Sequence, residues 1–171
     1  AVSSRSHDAS AGTSAGQVRM FQWSGSAWVQ MGADIDGQAA NEYFGEALDI
    51  NADGTIVAIG TPWGTSYAGL VRVYKYDGTA WVQRGTDFAP PGGGRFFGFD
   101  VALNDAGTIL AIGENIYHQY FKNGRALVYE YSGSSWAQRG DDILGSNNDR
   151  IGNSVSLNAA GSILATSSQY M

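Results

Sequence analysis

The chain repeats itself, and the repeat restricts its fold more than any single residue does. "FGEALDINADGTIVAIGTP" begins at Phe44, "FGFDVALNDAGTILAIGEN" at Phe97 and "IGNSVSLNAAGSILATSSQ" at Ile151. A second block recurs between them: "GQVRMFQWSGSAWVQMGADI" from Gly16, "GLVRVYKYDGTAWVQRGTDF" from Gly69 and "GRALVYEYSGSSWAQRGDDI" from Gly124. Equivalent positions return every 53 to 55 residues. A period of that length marks a supersecondary unit that buries its apolar face by stacking on the next copy.

Each full period reads as four strands. "ALDIN" leads into a turn at Ala52 to Gly54, and "TIVAIG" follows as a nearly continuous apolar run, suited to a strand covered on both faces. "LVRVYKY" alternates, with Val71 and Val73 on one face and Tyr74 and Tyr76 on the other. Asp77-Gly78 then forms a hairpin signal before "AWVQRGTDF", and Ser24-Gly25 and Ser132-Gly133 take its place in the other copies. No segment carries helical periodicity over ten or more residues.

Four antiparallel strands repeated in tandem predict an all-β chain of β-propeller blades. Residues 1–43 form a partial blade, 44–96 and 97–150 full blades, and 151–171 a partial blade. "AVSSRS" at the start and "ATSSQY" from Ala165 align with the same strand end. About three blades are present, fewer than usually close a ring. The expectation is a piece of a larger propeller. The alternative is a unit that completes its ring with another copy, self-associating through open sheet edges.

Composition excludes several functions. Ten Lys and Arg scattered among sixteen Asp and Glu give a net charge of −6, which supplies no cationic stripe for nucleic acid. No apolar stretch is long enough for a membrane-spanning helix. The absence of Cys excludes disulfides and thiolate zinc sites. There is no G-x-S-x-G elbow and no His placed for a triad. The glycine run at 92–94 lacks the helix and Lys of a phosphate loop.

The Phe-Gly pairs at 44–45 and 97–98, each followed by a polar turn, and "AIGTP" at 58–62 resemble the FG-GAP repeats of integrin-α-type propellers. The resemblance covers the repeat layout of essentially the whole chain. Its motif degrades to Ile151-Gly152 and to Gly113-Glu114-Asn115 in later copies. The added W-x-Q-x-G-x-D element is similar to tandem repeats of secreted algal or microbial surface proteins. The resemblance implies an extracellular setting, adhesion to a protein or glycan at the cell surface or matrix, and calcium in blades that keep an acidic loop.

Asp49, Asn51 and Asp53, followed by Gly54, have the opening spacing of such a loop. The position of the further carboxylate is Val57, however, and Asp49 and Asp53 become Ala102 and Ala106, then Ser156 and Ala160. Asn and Gly persist in every copy, which predicts a hairpin turn, with calcium at this one loop as the alternative. Trp28, Trp81 and Trp136 recur with Gln two residues on and Asp34, Asp87 or Asp142 beyond. They predict Trp filling the gap between blades, with Gln and Asp satisfying backbone donors.

The loops between second and third strands vary: 3–15, 61–68 and 114–123. They hold His7 and His118 with Trp63, Tyr67, Tyr117, Tyr120 and Phe121. Variable loops on a constant scaffold are where ligands are read. Trp63, Tyr67, Tyr117, His118 and Tyr120 are the candidate ligand-binding residues. The function expected is a non-enzymatic extracellular scaffold or adhesion module, and the alternative is a lectin-like propeller. A propeller glycosidase or quinoprotein would need Glu46, Asp49 or Asp100 to converge on a channel.

Overall fold

The structure, a computed structural model, describes residues 1–91, 95–115, 123–146 and 149–168. The glycine run at 92–94 and the rim candidates Tyr117, His118 and Tyr120 lie outside the described residues. The chain is all-β, built of several antiparallel sheets. Its strands are β1 (Val2–Ser4), β2 (Gln17–Arg19), β3 (Phe21–Trp23), β4 (Trp28–Gln30), β5 (Ile35–Asp36), β6 (Ala47–Ile50), β7 (Ile56–Thr61) and β8 (Leu70–Tyr76). They continue as β9 (Trp81–Gln83), β10 (Phe97–Leu103), β11 (Ile109–Glu114), β12 (Arg125–Tyr131), β13 (Trp136–Gln138), β14 (Ile143–Leu144), β15 (Ile151–Leu157) and β16 (Leu164–Ser168). One helical turn, α1 (Gly64–Tyr67), lies in the loop after β7, where sequence periodicity signals none.

The complete repeats give two sheets of the same order. One runs β6-β7-β8-β9; the other runs β10-β11-β12-β13, with β14 added beside β12. Neighbours in sequence are neighbours in the sheet, because the connections after the first and third strands are short turns. At the chain ends, β1, β2 and β5 form one sheet, β3 and β4 pair, and β15 pairs with β16. Register repeats too. Ile59 faces Arg72 in β7 and β8, and Val2 faces Arg19, its equivalent, in β1 and β2.

The sheets stack on one another, and β7 shows why its sequence is an apolar run. Val57 and Ile59 join Val18, Met20, Ile35, Phe44 and Tyr74 in a core shared with the N-terminal strands. Ile56 and Ala58 face the other way, into a core with Phe97, Val101, Leu110, Ile112 and Leu127. All six residues of β7 are buried, as are all six of β11. The core beyond the second full sheet is thinner, with Ala102, Ala111 and Ala126 against Val155, Leu157 and Leu164.

The Phe-Gly pair works at these stacks. Phe44 and Phe97 are fully buried. The glycine after Phe97 has φ +78°, and a Cβ at Gly60 in the preceding sheet would lie 2.2 Å from the Gly98 carbonyl oxygen. Gly113 meets Gly152 at the same 2.2 Å in the next stack. Backbone meets backbone there, and no side chain fits between. The register shift between Phe97 and Asp100 marks the bulge this approach produces.

Candidate functional site

The loop after β6 is built around Asn51. Its Oδ1 accepts hydrogen bonds from the Thr55 and Ile56 backbone N–H groups at 3.0 and 2.8 Å. Asn104 accepts from Thr108 and Ile109 at 2.8 and 2.9 Å, and Asn158 from Ser162 and Ile163 at the same distances. The Gly54 N–H donates back to the Asn51 carbonyl at 3.0 Å, and Gly54 takes φ +74°. The same side chain closes the same turn in each copy, whether or not the acids are present.

The acids of the first copy do other work. Asp49 Oδ2 accepts from the Leu103 N–H of the next sheet at 2.6 Å, and burial pushes its carboxyl up from the usual carboxylate range. Asp53 Oδ1 accepts from the side chain and backbone of Thr55 at 2.6 and 2.9 Å, bonds that hold its carboxyl below the usual range. Asp49 therefore points across the stack while Asp53 stays local, and the Asn51 oxygen already accepts two donors. Calcium takes six to eight oxygens, and these three side chains are instead engaged by donors from Leu103, Thr55 and Ile56. Among the described residues, no group of three or more His, Cys, Asp or Glu could hold a metal ion.

The acids considered for a channel are engaged separately. Asp100 Oδ2 accepts from the Val155 N–H at 2.8 Å, and Glu46 pairs with Arg5 at 2.9 Å. Asp49 and Asp100 each tie one first strand to the next, although they sit at different positions of the repeat.

The recurring Trp does join sheets. Trp81 Nε1 donates to the Met31 carbonyl at 2.8 Å, and Trp136 Nε1 to the Arg84 carbonyl at 2.9 Å. Each indole crosses to the connection after the fourth strand of the preceding sheet. Gln and Asp, expected to satisfy backbone donors, bond each other, and Gln30 Nε2 also donates to the Gly32 carbonyl at 3.2 Å. The distances are 2.6 Å for Gln30–Asp34, 2.8 Å for Gln83–Asp87 and 2.7 Å for Gln138–Asp142.

That Asp also receives an arginine from the third strand, a partner the sequence reading missed. Arg72 Nε lies 3.0 Å from Asp87, and its Nη1 pairs with the buried Glu42. Arg125 contacts Asp142 at 2.6 Å and Glu114 at 2.5 Å. Arg125 sits two residues earlier in its strand than Arg72 does, so it projects from the same face. Leu127 fills the vacated position. Burial pushes the Glu114 carboxyl up against the pull of Arg125. The signal available in sequence was Arg19 and Arg72 at one repeat position; its displacement in the third copy hid it.

In the loop after β7, Trp63 and Tyr67 meet Phe96, the residue just before β10. Ring centroids are 5.0 Å apart for Trp63–Phe96 and 6.0 Å for Tyr67–Phe96, both edge-on. Trp63 is half-buried by this packing, whereas Tyr67 remains 52% exposed. The buried Trp63 indole N–H has no hydrogen-bond partner among the described residues. Tyr67 holds φ +70° and Phe96 φ +58°, left-handed conformations that bulky residues rarely adopt.

No family model matches the chain, and no curated protein matches it. Among the described residues, no helix is long and apolar enough to cross a membrane.

Proposed function

We propose that the stacked sheets are blades of a β-propeller, and that the chain is a non-enzymatic extracellular scaffold or adhesion module. It meets a protein or glycan partner through the loops that follow the second strands. The observation that carries this reading is the shared four-strand order of the two full sheets, each fastened to its neighbour by the same Trp-to-carbonyl bond. The repeated polar side chains are engaged within that scaffold, which leaves recognition to the segments that vary between copies. The Phe-Gly repeat layout supports an integrin-α-like kinship and, with it, the extracellular setting.

A lectin-like propeller is the second reading, favoured by the rim aromatics. The exposed Tyr67 ring offers a stacking face of the kind a sugar ring uses. The test is binding of the labelled chain to a glycan array and to matrix proteins, repeated with Trp63→Ala and Tyr67→Ala. Loss of binding in both variants, with their melting curves intact, supports the rim. A cluster of related glycan hits selects the lectin, and protein hits alone select adhesion. Binding that survives both substitutions removes the rim from the mechanism.

A further inference from the structure

We propose that Glu114 and Arg125 position the loop after β7, by clamping the segment that delivers Phe96 to Trp63 and Tyr67, and that Glu114 makes this clamp answer to pH. The inference rests on the reading of that loop as a partner-binding one, and its first readout needs no partner.

The placement of Phe96 belongs to a recurring arrangement. Phe96 takes φ +58°, and its N–H donates at 2.9 Å to the carbonyl of Tyr67, itself at φ +70°. Tyr43 and Ser14 stand at the equivalent positions, at φ +57° and +50°, with the same bond at 3.0 Å. Left-handed backbone costs free energy for residues other than glycine and persists where the surroundings impose it. Phe96 is buried edge-on against Trp63 and Tyr67, so whatever fixes Phe96 fixes the rings of the loop.

An arginine and a carboxylate hold the chain just ahead of this residue in both copies, from different positions. Glu42 precedes Tyr43: its carbonyl accepts from Thr61 Oγ1 at the end of β7, its Oε1 pairs with Arg72, and its Oε2 accepts from the Gln38 and Ala39 N–H groups. In the next copy Arg95 stands at the Glu42 position and Glu114 at that of Thr61. The acid has crossed from the segment to the strand. Arg125 bonds Glu114 through Nε at 2.5 Å and reaches the segment through Nη2, which donates to the Pro91 carbonyl at 2.7 Å. The Arg95 backbone N–H, one residue before Phe96, favours the ionised form of Glu114.

The two acids are not equally satisfied. Glu42 takes donors on both oxygens, whereas the fully buried Glu114 has no hydrogen-bond partner for Oε1 among the described residues. A buried carboxylate short of donors favours its neutral form. Burial accordingly pushes the Glu114 carboxyl up, against the pull of Arg125, and Asp142 adds to the rise. The charged and titratable groups that act with it are Arg125 and Tyr129 from β12 and Asp142 from the segment before β14. Protonation removes the charge from its bond to Arg125 and weakens it, together with the attraction for the Arg95 N–H. Phe96 is then held less firmly against the Trp63 and Tyr67 rings.

The test follows the Trp63 indole N–H and the Phe96 amide of the full chain by NMR, from neutral to mildly acid pH, with the indole assigned by Trp63→Phe. Both signals should move together in one step whose midpoint lies above the ordinary carboxylate range. Glu114→Gln keeps the shape of the side chain without its proton equilibrium and should abolish the step. If that variant does not fold, Asp142→Asn decides: removing the like charge should bring the midpoint down, and an unmoved midpoint overturns the clamp. Signals that stay still in the parent, or a step that survives Glu114→Gln, overturn it as well. A partner found on the array should bind severalfold more weakly on the acid side of the step, and equal binding on both sides removes the positioning role. An array without hits, with the step intact, sinks the proposed function and leaves the clamp standing.

Discussion

Asn51 matters more to this chain than the acids on either side of it. Its side-chain Oδ1 satisfies two backbone N–H groups where the chain reverses, one of them in buried β7. Asn51→Ala strands those donors and should cost about 1–3 kcal/mol. At about 2–4 °C per kcal/mol for a chain of this size, the melting temperature should fall by several degrees. Asp53 bonds Thr55 at an exposed site, so Asp53→Ala should stay within about 0.5 kcal/mol of the parent. Millimolar calcium should leave the parent's melting temperature unchanged. A rise of several degrees that disappears in Asp53→Ala would show the loop to be a cation site after all.

Between elements, the close approaches of glycine decide which substitutions the stacks tolerate. Gly78 and Gly98 both take positive φ, at +102° and +78°. A Cβ at Gly78 meets nothing within 4 Å, while one at Gly98 would come within 2.6 Å of Val71 and 2.9 Å of the Leu70 carbonyl oxygen. Gly78→Ala therefore bears only the left-handed backbone penalty, about 1–2 kcal/mol. Gly98→Ala adds overpacking, about 1–3 kcal/mol more, and should separate from Gly78→Ala in chemical denaturation. Equal midpoints for the two variants would mean that the sheets slide apart without resistance. The strands themselves were legible in the sequence, because period-two alternation and Asp-Gly turns act locally. The role of Phe-Gly was not, because its glycine answers to a backbone 38 residues away, at Gly60. Likewise Gln and Asp recur visibly, but their mutual bond and the displaced Arg125 emerge only once strands are laid side by side. Of the rim candidates, Trp63 turned out to be half claimed by Phe96, 33 residues on, a contact that no local pattern encodes.

At the scale of the whole molecule, a chain of stacked sheets should not be equally stable throughout, since each sheet is held by its neighbours alone. β7 and β11 are buried on both faces, whereas β1 is exposed along its length and β16 alternates between half-buried and exposed. Local opening is easiest where few apolar contacts are lost. Amide exchange in dilute solution should therefore be slowest across Ile56–Thr61 and Ile109–Glu114, and fastest at Val2–Ser4 and Leu164–Ser168. Uniform protection along the chain at low concentration would mean instead that the sheets open as one unit, and that the terminal strands draw their stability from the whole stack.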